Sequence, residues 1–519
     1  MRFAPSLGLL TGCCALAGSF SCGPRATPPL GEVLVVVDTD ALVPRLVSRL
    51  RVDAYTASQT WYASSEFELS EPDQWPTSFG VVSPTAGQSD VVLLRLRAYP
   101  DGMTRDYHGE RYQARPTGGS PSATVPTPAS PPGETPRLID SSGQDVTPAE
   151  EPQPLVTIDR LVVVQTPTDS VERTTVVLRG SCLGTMADLA AVETCVDTEN
   201  TLVSADALAP LSTDLGMPTS QSGTFGATTP CTLMPNPGHA APDGTPLYDE
   251  EACVPGGAFI FGSPVEYGMY AYDGVPERVA IVEPFLMDRY EVTVGRWREA
   301  YRQGLVKDTP IANDGPLPTA EETPLNDTSF CTYSDSPLGR EDYPANCFTW
   351  QQAEEFCQAA GSDLPSEVEW EYADAQVGRT YKTPYPWGGD EIVAPTCSQA
   401  VFGRGYDSSV EQGLPCVADG LGALPVEKVD SDVSIGPRLE KLAGNVAEWL
   451  SDSVDSLGSY CWMEQPLHMP TCHDPSQPNS VRGGAWSSYP LSALLWRAKR
   501  RGRQPGRHRG RPALRAPRQ

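Results

Sequence analysis

The 519-residue sequence is short of basic charge, of histidine and of long apolar runs, and each shortage excludes something. Lys and Arg total 38 against 66 Asp and Glu, a formal charge of −28. So acidic a chain repels the phosphates of nucleic acid and of anionic lipid, which excludes a general nucleic-acid binder. Only five His are present and no Cys-x-x-Cys occurs, so neither a zinc site nor a three-histidine iron site is expected. Past the first segment there is no stretch of about 18 apolar residues, and so no helical membrane span is expected. Pro (52) and Gly (46) are plentiful instead, which predicts linkers or loop-heavy units. The length suggests about three folding units of roughly 150 residues. The few basic residues are also unevenly placed. Ten of the 38 lie between Arg497 and Arg518, a stretch with no acid, so the remainder carries 28 against 66, or −38.

At the N-terminus, Arg2 and an apolar, small-residue stretch lead to Cys22. The segment resembles a bacterial lipoprotein signal (1–22), in which cleavage leaves Cys22 as an acylated N-terminus. Leu10-Thr11-Gly12-Cys13 matches the lipobox pattern better but leaves a very short apolar region, and an ordinary secretory signal is the plainer alternative. Gly23, where Asp would retain the protein in the inner membrane, favours an outer-membrane lipoprotein of the cell envelope, held to the membrane through its lipid alone. The remaining cysteines suit an oxidising compartment. Close neighbours in loop-like sequence predict the pairs Cys182–Cys195, Cys231–Cys253, Cys331–Cys347, Cys397–Cys416 and Cys461–Cys472. Cys357 is left over in a helical pattern, as a buried free thiol.

Residues 23–212 read as a β-rich domain. Glu32–Val37, Val91–Arg97, Leu155–Val164 and Thr174–Arg179 are strand signals rich in β-branched residues. The Pro/Ser/Thr/Gly-rich segment 116–136 has no periodicity and reads as an insertion. The two halves are expected to form one β-sandwich closed by Cys182–Cys195; two small β units are the competing view. Asp38, Asp40, Arg105 and His108 are expected to be surface groups without catalytic purpose. A linker, 213–251, follows.

From Cys253 onward short helices alternate with irregular segments. Thr293 caps a helix Val294–Tyr301 stopped by Gly304. Thr349 with Gln352, and Ser366 with Glu369, form two capping boxes, opening helices at Trp350 and Glu367. Trp370, Trp387, Trp449 and Trp486 are expected to anchor a loop-rich core.

These motifs have a recognisable order. Gly256-Gly257-Ala258-Phe259-Ile260-Phe261-Gly262 is followed by Pro284-Phe285-Leu286-Met287-Asp288-Arg289-Tyr290-Glu291-Val292-Thr293, Cys347-Phe348-Thr349-Trp350 and Leu364-Pro365-Ser366-Glu367-Val368-Glu369-Trp370-Glu371. Tyr385-Pro386-Trp387-Gly388, Pro425-Val426, Gly444-Asn445-Val446-Ala447-Glu448-Trp449 and Arg482-Gly483-Gly484-Ala485-Trp486 complete the series. It resembles the formylglycine-generating enzyme (sulfatase-modifying factor) domain over residues 252–497. The resemblance implies a loop-rich mixed α/β domain related to C-type lectins, which with the β-rich, sandwich-like N-terminal domain read from the strand signals makes a multidomain chain.

Authentic members oxidise a sulfatase cysteine to formylglycine with copper held by two cysteines, soft ligands for a soft ion. Carried onto this sequence, the two thiol positions are Ser488 and Ala493, and no cysteine follows Cys472. A serine hydroxyl is not a thiolate and Ala493 has no ligand atom, so copper is not expected. The resemblance also implies a calcium site formed by the residue at 441, the carbonyls of Gly444 and Val446, and Glu448. Here position 441 is Lys. Either Lys441 swings out and water completes a calcium site, or its ammonium replaces the ion and pairs with Glu448. The plain alternative is that Glu448 merely stabilises a turn.

The last segment, 498–519, departs from the family, which closes on Gly-Phe-Arg and a returning strand. It is either a genuine basic tail seeking an acidic partner or the product of a reading-frame shift, and in either case the closing strand is expected to be missing. Three functions compete. The first is an exported lipoprotein whose C-terminal domain binds an envelope protein or glycan without catalysis. The second is a formylglycine-generating oxidase acting on exported sulfatases. The third, a different iron-dependent oxidation, lacks the histidines.

Overall fold

The computed structural model describes residues 31–83, 88–106, 138–206, 210–262, 274, 276–318, 328–383, 385–387, 400–404, 421–427, 436, 438–487 and 517–518. The chain divides into two compact units, one on each side of Ala227–Thr228.

The N-terminal unit contains strands β1 (Glu32–Thr39), β2 (Arg49–Thr56), β3 (Trp61–Glu68), β4 (Thr77–Val82), β5 (Val91–Tyr99), β6 (Thr104–Asp106), β7 (Glu150–Pro152), β8 (Ile158–Gln165), β9 (Val171–Leu178), β10 (Glu193–Thr194) and β11 (Val203–Ser204). They form a three-stranded sheet in the order β4-β1-β9, a four-stranded antiparallel sheet in the order β3-β2-β5-β8, and the two-stranded ribbons β6-β7 and β10-β11. Strands from either side of the Pro-rich insertion pair directly, β5 with β8 and β1 with β9, so the two halves form one unit. Cys182–Cys195 is formed within it.

One face of the larger sheet carries charge where the strand signals suggested apolar packing. Side chains two residues apart share a face, and residues directly opposite in register do too. Arg95 and Arg97 on β5 therefore stand with Arg51, Asp53 and Asp159. Arg95 pairs with Asp159 at 2.5 Å, and Arg97 with Asp53 at 2.6 Å and with Glu151 at 2.5 Å. All are buried. The sequence marked the strand but not its partners, because the opposing acids lie 44 to 64 residues away.

Asp38, Asp40 and Arg105 are likewise buried, contrary to the expected surface placement. Asp38 accepts from Ser220 Oγ and the Gln221 N–H, and Asp40 from the Gly180 N–H at 2.6 Å. Short acids at a strand end become buried when a returning loop offers them backbone donors. His108 lies outside the described residues.

The second unit opens with β12 (Glu251–Val254), β13 (Gly257–Phe261), β14 (Arg278–Val282) and β15 (Phe285–Asp288). Helices α1 (Val294–Arg302), α2 (Trp350–Ala359) and α3 (Glu367–Ala375) follow, then β16 (Glu448–Ser453), α4 (Tyr460–Met463), β17 (Asn479–Arg482) and β18 (Pro517–Arg518). The capping expectations hold. Thr293 caps α1, and both capping boxes are formed, Thr349 with Gln352 and Ser366 with Glu369. Helix α3 is buried around its whole circumference. Trp370 and Tyr372 on it pack with Phe259, Phe261, Phe285, Leu442, Leu450 and Trp462 in the main core. A second cluster gathers Val292, Trp297, Phe348, Phe356 and Cys357. Trp370 and Trp486 are buried, and Trp387 and Trp449 partly so.

Disulfides Cys231–Cys253, Cys331–Cys347 and Cys461–Cys472 are formed in this unit, and Cys357 is free and buried. Cys397 and Cys416 lie outside the described residues, as do Cys22 and the insertion 116–136. The C-terminus departs from expectation. Pro517–Arg518 pairs antiparallel with Leu286–Met287, giving the sheet order β12-β15-β18. Edge pairing of two residues needs backbone groups rather than apolar side chains, and proline is tolerated at an edge.

Candidate functional site

Two family motifs, residues 441–449 and 482–487, are folded against each other in the second unit. The Gly444 N–H donates to the Gly483 carbonyl at 2.7 Å, and the Trp486 N–H donates to the Asn445 carbonyl at 2.7 Å. Both glycines have positive φ, 91° and 82°. A Cβ on Gly444 would collide with the backbone of Val401, and one on Gly483 with the carbonyl of Leu442. Only glycine permits this approach.

Asn445 fixes the turn from within. Its Oδ1 accepts from the Leu424 N–H at 2.9 Å, and its Nδ2 donates to Glu291 Oε2 at 2.6 Å and to the Leu424 carbonyl at 3.1 Å. The other oxygen of Glu291 accepts from the Val446 N–H at 3.1 Å. Glu291 and Asn445 are wholly buried. Trp486 packs against Phe330 with ring centroids 4.5 Å apart and planes tilted by 31°, and its carbonyl accepts from the Arg404 N–H.

Beneath this turn runs a chain of buried charge. Arg482 donates to Glu367 at 2.6 Å and to Glu371 at 3.2 Å. Glu371 also meets Lys382 Nζ at 2.6 Å and the Gly262 N–H at 2.9 Å, while Glu367 accepts from Ser480 Oγ. Asp452 accepts from the Glu367 N–H at 2.7 Å and the Cys472 N–H at 2.5 Å. Burial, with the charge of Glu367 beside it, pushes Asp452 up to about 8. Burial likewise pushes Glu277 up to about 7, with Lys382 opposing and Glu371 assisting.

The residues singled out in the sequence fall unevenly on this frame. Glu448 is wholly buried at the start of β16, opposite Arg482 in register, and accepts from Trp370 Nε1. Gly444 and Val446 lie in the same turn. Lys441 is wholly buried at φ 61°, so its side chain does not swing out to solvent. Lys441 brings a buried positive charge to a position where a divalent ion needs an oxygen ligand, so these residues do not fit calcium as they stand.

Ser488 and Ala493 lie outside the described residues. Eight described cysteines are closed in disulfides, and burial raises the Cys357 thiol well above its ordinary value. Among the described residues, therefore, no cysteine offers copper(I) a thiolate. Among the described residues no three His, Cys, Asp or Glu are grouped to hold a metal.

Glu291, Glu367, Glu371, Lys382 and Arg482 were not singled out for a role from the sequence. The signal was present: four of them sit inside apolar motifs, where an unpartnered charge is costly.

A family model described as the sulfatase-modifying factor enzyme 1-like domain matches residues 237–516, through most of the basic terminal segment. Among curated relatives, a formylglycine-generating enzyme of Thermomonospora curvata is 29% identical over 226 residues, covering 38% of this chain and 70% of the relative. A hercynine oxygenase of Mycolicibacterium thermoresistibile is 30% identical over 210 residues, covering 38% of this chain and 42% of the relative. The formylglycine-generating enzyme of Mus musculus is 26% identical over 227 residues, again 38% of this chain and 57% of the relative. The chain thus spans about half the length of the latter two. Among solved structures, PvdO from Pseudomonas aeruginosa aligns at a TM-score of 0.37 and 18% identity, over 55% of this chain and 99% of that one.

Proposed function

This chain belongs to the sulfatase-modifying factor enzyme 1-like domain family, and from that premise we propose that its C-terminal half is a non-catalytic binding module of an exported lipoprotein. The observation that carries this reading is the lack of thiols: Ser488 and Ala493 hold the positions where family members place copper ligands, and no cysteine follows Cys472. The relatives support a scaffold open to more than one purpose, since one is named for formylglycine generation and another for hercynine oxygenation. A family fold does not carry a reaction without its reacting groups.

In this reading Lys441 stands in for calcium as an internal cation. Lipid on Cys22 anchors the chain to the envelope. The N-terminal β-rich unit, taken as a sandwich, displays the module to an envelope protein or glycan. The second reading, oxidation of an exported sulfatase's cysteine, is favoured by the names of the relatives.

The test offers the full chain a peptide containing Cys-x-Pro-x-Arg, with copper and oxygen supplied, and follows the peptide by mass spectrometry. No aldehyde above a no-protein control is expected. Catalytic turnover would overturn the binding-module reading in favour of the oxidase.

A further inference from the structure

On the charged face of the N-terminal unit's larger sheet, Asp53 holds two arginines side by side. It accepts from Arg51 Nε at 3.1 Å, from Arg97 Nη2 at 2.6 Å and from Ser64 Oγ at 2.5 Å. These residues stand on the paired strands β3, β2 and β5, so the clamp is part of the sheet itself. Glu151 comes from outside that sheet, on the ribbon β6-β7. Its Oε2 accepts from Arg97 Nη1 at 2.5 Å, whereas its Oε1 stands 2.9 Å from Arg51 Nη1 without forming a hydrogen bond. Arg51 Nη2 and Arg97 Nε are buried and have no hydrogen-bond partner either. The side chains are more than nine-tenths buried, 8% exposed for Arg51 and 1% each for Arg97 and Glu151.

Buried donors without an acceptor are unfavourable, and they call for a ligand richer in acceptors than the one present. A carboxylate is planar and offers two oxygens, and here it secures one hydrogen bond. A phosphate or sulfate group brings further oxygens spread in three dimensions, which suits guanidinium forks.

The ribbon carrying Glu151 is held at few points. It has three residue pairs, Thr104–Pro152, Arg105–Glu151 and Asp106–Glu150, and Pro152 has no N–H to donate. Residues 139–150, which lead into it, include no buried residue. Segments with so little burial open locally before the rest of a domain does.

We propose that Arg51 and Arg97 form a binding site for a tetrahedral oxyanion, a phosphate or sulfate group, in which Glu151 is an internal stand-in. The anion takes the place of the Glu151 carboxylate, and the β6-β7 ribbon loosens as it enters.

The exchange replaces one anion by another, so neither guanidinium is left bare in the bound state. Asp53 stays, because Ser64 and both arginines hold it. Nearby acids are engaged elsewhere: Glu66 and Asp101 with Arg49, and Asp159 with Arg95. Glu150 is exposed and moves away with the ribbon. Arg105, buried opposite Glu151 in register, adds positive charge. Affinity is set by competition with the tethered carboxylate, so weakening that competitor strengthens binding.

Titration of the full chain with inorganic phosphate tests this, followed by calorimetry and by hydrogen exchange on peptides covering Leu138–Gln153. In the wild type, phosphate should speed exchange in these peptides. Phosphate is excluded from protein surfaces and slows exchange generally, so a local rise has the opposite sign to that background. Glu151→Gln removes the competing charge and should tighten phosphate binding by about tenfold or more. Adding Arg51→Lys, which keeps the charge and loses the fork, should abolish that gain. Sulfate should behave as phosphate does, and acetate should not. Methyl phosphate separates the sources. Binding equal to that of inorganic phosphate assigns an oxyanion carried on a larger molecule, binding of the inorganic ion alone assigns a free one, and both support the site. Wild-type exchange over Leu138–Gln153 that stays flat or slows would overturn the proposal. So would a folded Glu151→Gln variant that binds phosphate no more tightly, or acetate binding as tightly as phosphate.

Discussion

Arg482→Met isolates the central link of the charge chain. Arg482 and its partners have side-chain exposures of 1%, 3% (Glu367) and 0% (Glu371). Methionine fills similar volume but leaves the carboxylates without the guanidinium. Glu371 keeps Lys382 and the Gly262 N–H, whereas among the described residues Glu367 keeps only the Ser480 hydroxyl as a side-chain partner. One buried carboxylate is therefore orphaned, and removing one partner of a buried pair costs about 3–5 kcal/mol. Whole domains are stable by about 5–15 kcal/mol, so the loss is a large fraction of the total. The assay is urea unfolding of the full chain near pH 8, followed through exchange of α3 peptides so that the N-terminal unit does not contribute. Adding Glu367→Gln to Arg482→Met removes the orphaned charge and should recover more than half of the loss. A single-variant cost below about 1 kcal/mol, typical of a solvated pair, would refute the reasoning. So would a double variant no more stable than the single one.

Ser366→Ala removes a cap that also holds the buried Glu369 carboxylate, and should lower unfolding free energy by about 1–2 kcal/mol in thermal or urea melts. Chelation with EGTA should leave the wild-type melting midpoint unmoved, while Lys441→Asp should make it rise with added calcium. A wild-type midpoint that falls on chelation would show a bound ion and refute the role of Lys441. Detergent phase partitioning of the protein expressed with its leader should follow lipid on Cys22. The Cys22→Ala variant should move to the aqueous phase, and retention in detergent would point to another anchor.

Local chemistry wrote its own instructions. The caps at Thr293, Thr349 and Ser366 were legible because each rests on residues three apart. The pairs Cys182–Cys195, Cys231–Cys253, Cys331–Cys347 and Cys461–Cys472 span only 11 to 22 residues, and proximity paired them once the helical pattern around Cys357 had set that thiol aside. The order of motifs from Gly256 to Trp486 carried the family, and the residues at 488 and 493 carried the argument against copper.

What the sequence could not supply was the partner of each buried charge. Arg482 reads as one basic residue in a glycine-rich motif until folding sets it between Glu367 and Glu371, more than a hundred residues earlier. Asp452 and Glu277 look like ordinary surface acids until burial raises their affinity for protons. Lys441 left two outcomes open, and only the packing around it removed the solvent-facing one. Hydrogen-bonded caps and short disulfide loops depend on neighbours along the chain, so the sequence determines them directly. Charge compensation depends on distance through a medium of low dielectric, and only the tertiary structure sets both the distance and the medium.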